Sequence, residues 1–312
     1  MSKPWLGLLF VAAVSTPTAA PLASPKTQPP GAKTAGVGWL ALGSSVAHWA
    51  AELGDWAVVP ENGGDCPSDM ARVSGKYCTD VRHHCRVWLD DPTLPYARCG
   101  EYEQVAECVG TRRPMSFCID RFEYTAPGDA LPKNHMSFVT GSALCQSLGK
   151  RICTEAEWNF ACEGEQMLPY PYGWRREPKC NQDRTDLYRM VVVDGHRQQV
   201  KKDDREPADA RPDCVSPFGV YNLTGNLDES VLREEARLQQ PFRNALKGGW
   251  WMAARNRCRP ATTAHDDYYE DTQVGVRCCA DLATPSPAAT SREPPATDER
   301  SVAARSSVRH SS

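Results

Sequence analysis

The sequence lacks the features of a membrane-spanning or nucleic-acid-binding protein. Its 312 residues contain no apolar run of the roughly 18 to 20 residues that a helix needs to cross a bilayer. The 36 basic and 39 acidic side chains give a net charge of −3, so no basic surface is indicated for phosphate binding. We therefore expect neither a transmembrane span nor a nucleic-acid partner.

Several common catalytic and metal-binding motifs are also missing. No His-x-x-x-His spacing occurs, which gives a zinc site on a helix no support. There is no Gly-x-Ser-x-Gly elbow and no phosphate-binding glycine loop. Cys-x-x-Cys pairs with zinc spacing are absent as well.

The sequence is rich in cysteine, with 14 residues spread over the middle of the chain. Thiols are kept reduced in the cytosol, so an even and dispersed set favours disulfides in an exported protein over a metal site. The vicinal pair Cys278-Cys279 has the wrong geometry for a zinc knuckle. The spacing leaves the pairing of the cysteines open.

The N-terminus has the layout of a secretory signal peptide over residues 1–20. Lys3 precedes the apolar run from Trp5 to Val14, and small residues follow as far as Ala20. We therefore expect an exported protein, located in the periplasm, at the cell surface or outside the cell.

Composition divides the rest of the chain into three parts. Residues 21–63 join a Pro-rich linker to tryptophans at helical spacing, which predicts an amphipathic helix packed on the following domain. Residues 64–282 hold all the cysteines and are the predicted folded domain. Residues 283–312 have almost no large apolar side chains, a composition typical of a disordered tail.

Two helices are predicted among the short, turn-rich elements of the folded domain. The first covers residues 137–148 and ends at Gly149 as a C-terminal cap. Its predicted buried side consists of Val139, Ala143, Leu144 and Leu148. The second opens with a capping box between Thr154 and Glu157, and buries Trp158, Ala161 and Cys162. Two helices in a long, loop-rich chain indicate an irregular α+β domain.

One stretch, residues 221–229, carries oxygen donors suited to a hard cation. An amide, backbone carbonyls beside a glycine and a carboxylate stand close enough in sequence to surround Ca²⁺. The predicted ligands are Asn222, Gly225, Leu227 and Glu229. Turns of this composition are common without a metal, so an ordinary turn is the alternative that the residues leave open.

Three segments, in order along the chain, resemble the formylglycine-generating enzyme (sulfatase-modifying factor) family. They are Gly-Lys-Arg-Ile-Cys-Thr-Glu-Ala-Glu-Trp at 149–158, Ser-Pro-Phe-Gly-Val-Tyr-Asn-Leu-Thr-Gly-Asn at 216–226, and Lys-Gly-Gly-Trp at 247–250 with Val-Gly-Val-Arg-Cys at 274–278. The resemblance covers residues 112–282. It implies the family fold, an irregular, disulfide-bearing α+β domain related to C-type lectins.

The resemblance also bears on the metal sites. Family members bind calcium at the stretch that corresponds to residues 222–229, with Gly225 and Leu227 contributing backbone carbonyls. The family oxidases bind copper(I) through two cysteines after a Gly-Gly-Ser segment, and thiolates suit this soft ion. Here Ala253 stands at the first cysteine position and Cys258 at the second. Trp250 replaces the family serine, and Asp228 replaces the tryptophan expected after Gly-Asn.

We therefore expect an exported, disulfide- and calcium-stabilised member of this family that does not make formylglycine. Its expected role is recognition of a protein, peptide or glycan. The alternative is a formylglycine-type or other metal-dependent oxidase, with copper and a relocated thiol pair formed by Cys258 with Cys278 or Cys279. A structural disulfide is the competing interpretation of these cysteines. A third hypothesis is a structural ectodomain whose tryptophan helix docks a partner.

Overall fold

The computed structural model describes residues 65–234 and 241–283. All of them belong to the compact unit Trp56–Ser312. The predicted signal peptide at 1–20, the linker and tryptophan helix at 21–63, and the tail beyond residue 283 lie outside the described residues. Within the described ranges, no helix is long and apolar enough to cross a bilayer.

Short strands dominate the described part of the chain, which contains only two helices. The elements in chain order are β1 (Met70–Cys78), β2 (Val81–Arg82), β3 (Cys85–Trp88), β4 (Cys99–Tyr102), β5 (Glu107–Cys108), β6 (Arg112–Asp120), α1 (Phe138–Ser147), β7 (Arg151–Ile152), α2 (Glu155–Glu163), β8 (Tyr188–Val193), β9 (His196–Lys201), β10 (Asp228–Leu232), β11 (Asn244–Lys247), β12 (Ala261–Thr262), β13 (Val274–Gly275) and β14 (Cys278–Ala280).

Two four-stranded sheets organise these elements. The first has the order β1-β6-β14-β7 and is antiparallel, with β1 and β6 paired over nine residues from Met70↔Asp120 to Cys78↔Arg112. The second has the order β12-β11-β10-β13, in which only β10 and β13 run parallel. Three two-stranded ribbons, β2-β5, β3-β4 and β8-β9, complete the domain. The predicted irregular α+β fold is confirmed.

Helix α1 forms where predicted, but the prediction of its buried side is wrong. Ser137 caps its N-terminus, and Gly149 follows its last turn with a φ of +70°. The buried residues are Phe138, Gly141 and Cys145, whereas Ala143 and Leu148 are exposed. The reason is a long-range crosslink: Cys145 is bonded to Cys278 of β14, which turns this face of the helix inward.

Helix α2 lies at the centre of the domain and contacts β1 and β6 of the first sheet and β10 and β11 of the second. The predicted capping box is present: the Glu157 amide donates to Thr154 Oγ1 at 3.2 Å, and the Thr154 amide donates to Glu157 Oε2 at 2.8 Å. Trp158, Ala161 and Cys162 are fully buried, as predicted. Both four-stranded sheets therefore pack against this capped helix.

All fourteen cysteines lie in the described residues, and all are paired in seven disulfides, as the even count predicted. The pairs are Cys66–Cys118, Cys78–Cys108, Cys85–Cys99, Cys145–Cys278, Cys153–Cys279, Cys162–Cys258 and Cys180–Cys214. Consecutive strand residues point to opposite faces of a sheet, so the vicinal Cys278 and Cys279 reach different partners. The last strand is thereby tied both to α1 and to the entry of α2.

We predict that the denatured but unreduced protein contains no thiol that reacts with an aromatic disulfide reagent, because every sulfur is bonded. Reduction before the assay is expected to release fourteen thiols. The two absorbance readings check the pairing, and peptide mapping of the unreduced digest identifies the partners. Any reactive thiol before reduction, above all at Cys258, would contradict the assignment.

Candidate functional site

An open pocket of about 620 Å³ lies where the second sheet meets the Gly-Gly-Trp segment. The chain leaves β11 at Lys247, turns through two glycines and continues as the loop of residues 250–256. Asp228, the first residue of β10, lies in the same wall. We call this cavity the Gly-Gly pocket. Its lining includes Tyr96, Asp228, Gly249, Trp250, Ala253, Arg255 and Asn256.

Two glycines let the backbone approach its neighbours at this turn. Gly248 and Gly249 have φ values of +84° and +73°, in the left-handed region that side chains disfavour. A Cβ on Gly248 would lie 2.8 Å from the Leu223 carbonyl oxygen, and one on Gly249 would lie 2.6 Å from Nδ2 of Asn256. The backbone is therefore closely packed against its neighbours at this turn.

A buried asparagine fixes the loop that follows. Asn256 Nδ2 donates to the Trp250 carbonyl oxygen at 2.6 Å, and the Ala254 amide donates to Asn256 Oδ1 at 3.2 Å. The Ala253 amide donates to the Arg184 carbonyl oxygen at 3.2 Å. The wall of the Gly-Gly pocket is therefore held in place before any ligand arrives.

Neither position of the family's copper-binding pair offers a thiolate. Ala253 presents a methyl group, and the fully buried Cys258 is bonded to Cys162 of α2, with 5.5 Å between their Cα atoms. The hypothesis of a relocated thiol pair is wrong, since Cys278 and Cys279 are bonded to cysteines other than Cys258. Copper(I) needs soft sulfur ligands, and the residues present do not fit it.

The Gly-Gly pocket instead combines charge with aromatic surface. Burial raises the pKa of Asp228 to about 7, although the Gly249 N–H donates to its carboxylate and opposes the shift. The Arg255 guanidinium carbon lies 4.7 Å from the centre of the Tyr96 ring. The Lys201 ammonium lies 5.1 Å from the centre of a Trp250 ring. This arrangement can bind a ligand by stacking and hydrogen bonding.

The predicted calcium ligands lie together in the buried loop that leads into β10, but protein groups already engage their side chains. The Glu229 carboxylate accepts from Trp158 Nε1 at 2.7 Å and from Arg277 Nε and Nη2 at 2.7 and 2.6 Å. Asn222 Nδ2 donates to Glu123 Oε2 at 3.1 Å and to the Ala208 carbonyl oxygen at 2.8 Å.

The backbone of this loop is equally crowded. Gly225 has a φ of +79°, and a Cβ there would lie 2.4 Å from the Asn181 carbonyl oxygen. Leu227 packs with Trp250 and Trp251. Of the four predicted ligands, Glu229 is the one whose carboxylate pairs with the Arg277 guanidinium. The calcium site stays a prediction.

Two important charged residues of this region were missed by the sequence reasoning. Arg277 and Glu123 are 1% and 2% exposed, and each stands between apolar neighbours in sequence. A charged residue between apolar neighbours in sequence indicates a buried charge that needs a partner. This pattern could have identified both residues from the sequence. Burial, and then the neighbouring Glu229 carboxylate, raise the pKa of Glu123 well above its usual range.

Comparison with known proteins identifies the class. A profile of the sulfatase-modifying factor enzyme 1-like domain matches residues 98–282, which is more than half of the chain. The protein therefore belongs to the sulfatase-modifying factor family, as its motifs indicated.

Relatives whose names state different activities match this chain at similar identity. "Inactive C-alpha-formylglycine-generating enzyme 2" of Bos taurus is 29% identical over 162 residues, covering 49% of this chain and 52% of the relative. "Formylglycine-generating enzyme" of Mus musculus is 28% identical over 167 residues, covering 48% and 44%. The chain thus spans about half the length of the curated relatives it matches. Sequence similarity alone therefore does not distinguish an active from an inactive formylglycine-generating enzyme. The residues of the site have to be compared instead.

Solved structures of related shape include PvdO from Pseudomonas aeruginosa, with a TM-score of 0.44 and 16% identity over 70% of this chain and 95% of that one. The structure entitled "Crystal Structure of CarF" gives a TM-score of 0.43 and 14% identity over 69% of this chain and 98% of that one.

We predict that Glu229→Gln lowers the free energy of unfolding by about 3 to 5 kcal/mol, because it removes the carboxylate that is hydrogen-bonded to the buried Arg277 guanidinium. Urea titration of the oxidised protein measures the change. The matched control is Glu101→Gln, which removes a more exposed partner of Arg86 and is expected to cost at most about 1 kcal/mol.

The same variant tests the predicted calcium site. If Glu229 serves Arg277 alone, a chelator leaves the melting temperature of the wild type unchanged. A chelator-induced fall that disappears in Glu229→Gln would instead establish the calcium site, and would contradict the ion pair as the main role of this carboxylate.

Proposed function

We propose that this protein is an exported, non-catalytic member of the sulfatase-modifying factor family that recognises a peptide or protein ligand at the Gly-Gly pocket. The observation that carries the proposal is the Cys162–Cys258 disulfide beside Ala253. With alanine at one position and a disulfide at the other, both sulfur ligands of the family's copper site are absent. The wall of the Gly-Gly pocket is formed nonetheless. The seven disulfides support export, since such bonds persist in oxidising compartments.

The chemistry of formylglycine formation supports this proposal. Oxidation of a substrate cysteine in the family requires a cuprous ion held by thiolates. The described residues contain no free cysteine, so no thiolate is present to bind copper or to exchange with a substrate thiol. One relative is named as an inactive formylglycine-generating enzyme, which supports a member of the family without this activity.

The form of the Gly-Gly pocket supports a binding role. Trp, Tyr and Arg are the side chains that most often dominate binding energy at interfaces, and this pocket presents Trp250, Tyr96 and Arg255. The hydrogen bonds of Asn256 hold the loop before binding, which reduces the entropy lost when a ligand is ordered. A pre-organised aromatic pocket is therefore retained although the catalytic sulfurs are not.

We predict that the protein supplied with copper(I) and oxygen forms no aldehyde from a Cys-x-Pro-x-Arg peptide. Mass spectrometry and a hydrazide-capture assay would measure the product. The physical reason is the lack of a thiolate pair near Ala253. Measurable aldehyde would overturn the non-catalytic assignment, and its loss in Cys258→Ser would then support the oxidase alternative.

We further predict that peptides selected on the wild-type protein from a displayed random library lose at least tenfold in affinity, about 1.4 kcal/mol, with Trp250→Ala. Fluorescence polarisation measures the change. Trp88→Ala is the matched control, because Trp88 is 45% exposed and does not line the pocket. Equal binding to Trp250→Ala and wild type would show that recognition does not use this site.

A further inference from the structure

A second, larger pocket of about 850 Å³ shares no lining residue with the Gly-Gly pocket. We call it the acidic pocket. The ionisable residues in its lining are Asp69, Asp120, Glu123, Asp129, Lys150 and Asp209. We propose that the acidic pocket binds an organic cation, namely a guanidinium or ammonium group on an alkyl stem, such as a basic side chain of a peptide or a free amine.

The charge of the lining is strongly one-sided. Lys150 is its only cation, and the Lys150 ammonium is already shared by Asp69 Oδ2 at 2.5 Å and Asp120 Oδ1 at 2.6 Å. Asp129 and Asp209, both exposed, and the buried Glu123 therefore have no cation among the lining residues. A concave wall with excess negative charge attracts a positively charged ligand.

Glu123 supplies the observation that points to a ligand. Its Oε2 accepts from Asn222 Nδ2 at 3.1 Å and from Asn226 Nδ2 at 2.9 Å. Its Oε1 is buried and has no hydrogen-bond partner among the described residues. A buried carboxylate oxygen without a donor is costly, so a donor brought by a ligand would be bound favourably.

The Arg277 guanidinium, which acts electrostatically on Glu123, does not meet this need. Arg277 donates through Nε and Nη2 to the two oxygens of Glu229, and also through Nη1 and Nη2 to the carbonyl oxygens of Asp120 and Tyr221. No hydrogen bond between Arg277 and Glu123 is present. Two buried carboxylates, Glu123 and Glu229, thus stand beside one guanidinium, and a second cation would balance them.

The lining favours an organic cation over a metal ion. Within residues 65–234 and 241–283, no three His, Cys, Asp or Glu side chains are grouped to hold a metal by themselves, without amide or carbonyl ligands. The pocket is also far larger than one ion, and Phe122 and Tyr124 line it. Phe122 stacks on Tyr221 with 4.7 Å between ring centres. Aromatic walls suit an alkyl stem or a planar guanidinium.

Isothermal titration of the full chain with N-acetyl-arginine methylamide, agmatine and N-acetyl-citrulline methylamide tests the proposal. We expect at least one of the two cationic probes to bind, at least tenfold more tightly than the neutral citrulline probe, and binding to weaken as salt rises. Binding of the arginine derivative but not of agmatine would identify a peptide ligand, and the reverse would identify a free amine.

Glu123→Gln keeps the shape of the side chain, removes its charge, and is expected to weaken the binding probe at least tenfold. Asp228→Asn in the Gly-Gly pocket is the matched control and should leave the affinity unchanged. Should Glu123→Gln not fold by circular dichroism, the exposed pair Asp129→Asn and Asp209→Asn should weaken binding instead.

The proposal is overturned if the citrulline probe binds as well as its charged counterpart, if neither cationic probe binds, or if the charge-removing variants bind like the wild type. It is equally overturned if calcium chloride raises the melting temperature while the arginine probe and agmatine do not. Each result is independent of peptide binding at the Gly-Gly pocket, so the two proposals can fail separately.

Discussion

The buried ion pair between Arg277 and Glu229 is the interaction on which the two sheets and the central helix depend. Both side chains are 1% exposed. Glu229 belongs to β10 of the second sheet and also accepts from Trp158 of α2, while Arg277 donates to the carbonyl oxygen of Asp120 at the end of β6 in the first sheet. A buried pair is stable only when its geometry and remaining hydrogen bonds are satisfied, as they are here. The sheets and α2 therefore cannot shift independently.

A second constraint explains how this domain keeps the family fold while it lacks the family's metal ligands. Cys258 lies five residues after Ala253, at the sequence position where the family oxidases carry a copper ligand. In this chain its sulfur joins the loop to Cys162 on the central helix. One sulfur atom cannot serve both as a crosslink and as a thiolate ligand. The Cys258 sulfur can therefore either crosslink the fold or bind copper, but it cannot do both.

The sequence predicts what local patterns control. The capping box of Thr154 and Glu157 follows from neighbouring residues, and the disulfide state of the cysteines follows from composition; both predictions are confirmed. Contacts between distant segments could not be derived in this way. The inward face of α1 is set by Cys278, which is 133 residues away. The ion pair of Glu229 with Arg277 likewise joins residues that are far apart in sequence.

The same long-range arrangement explains why charge collects at two separate cavities. Arg277 compensates Glu229, but Glu123 lies in the same buried cluster without a cation of its own. Asp228, next to Glu229 in sequence, is half-buried in the wall of the Gly-Gly pocket, where its pKa is raised to about 7. The cluster holds more carboxylates than guanidinium groups. The excess negative charge is therefore neutralised by protonation of a carboxylate or by a cation from outside the protein. This surplus of carboxylates is what our proposal of a cationic ligand in the acidic pocket rests on.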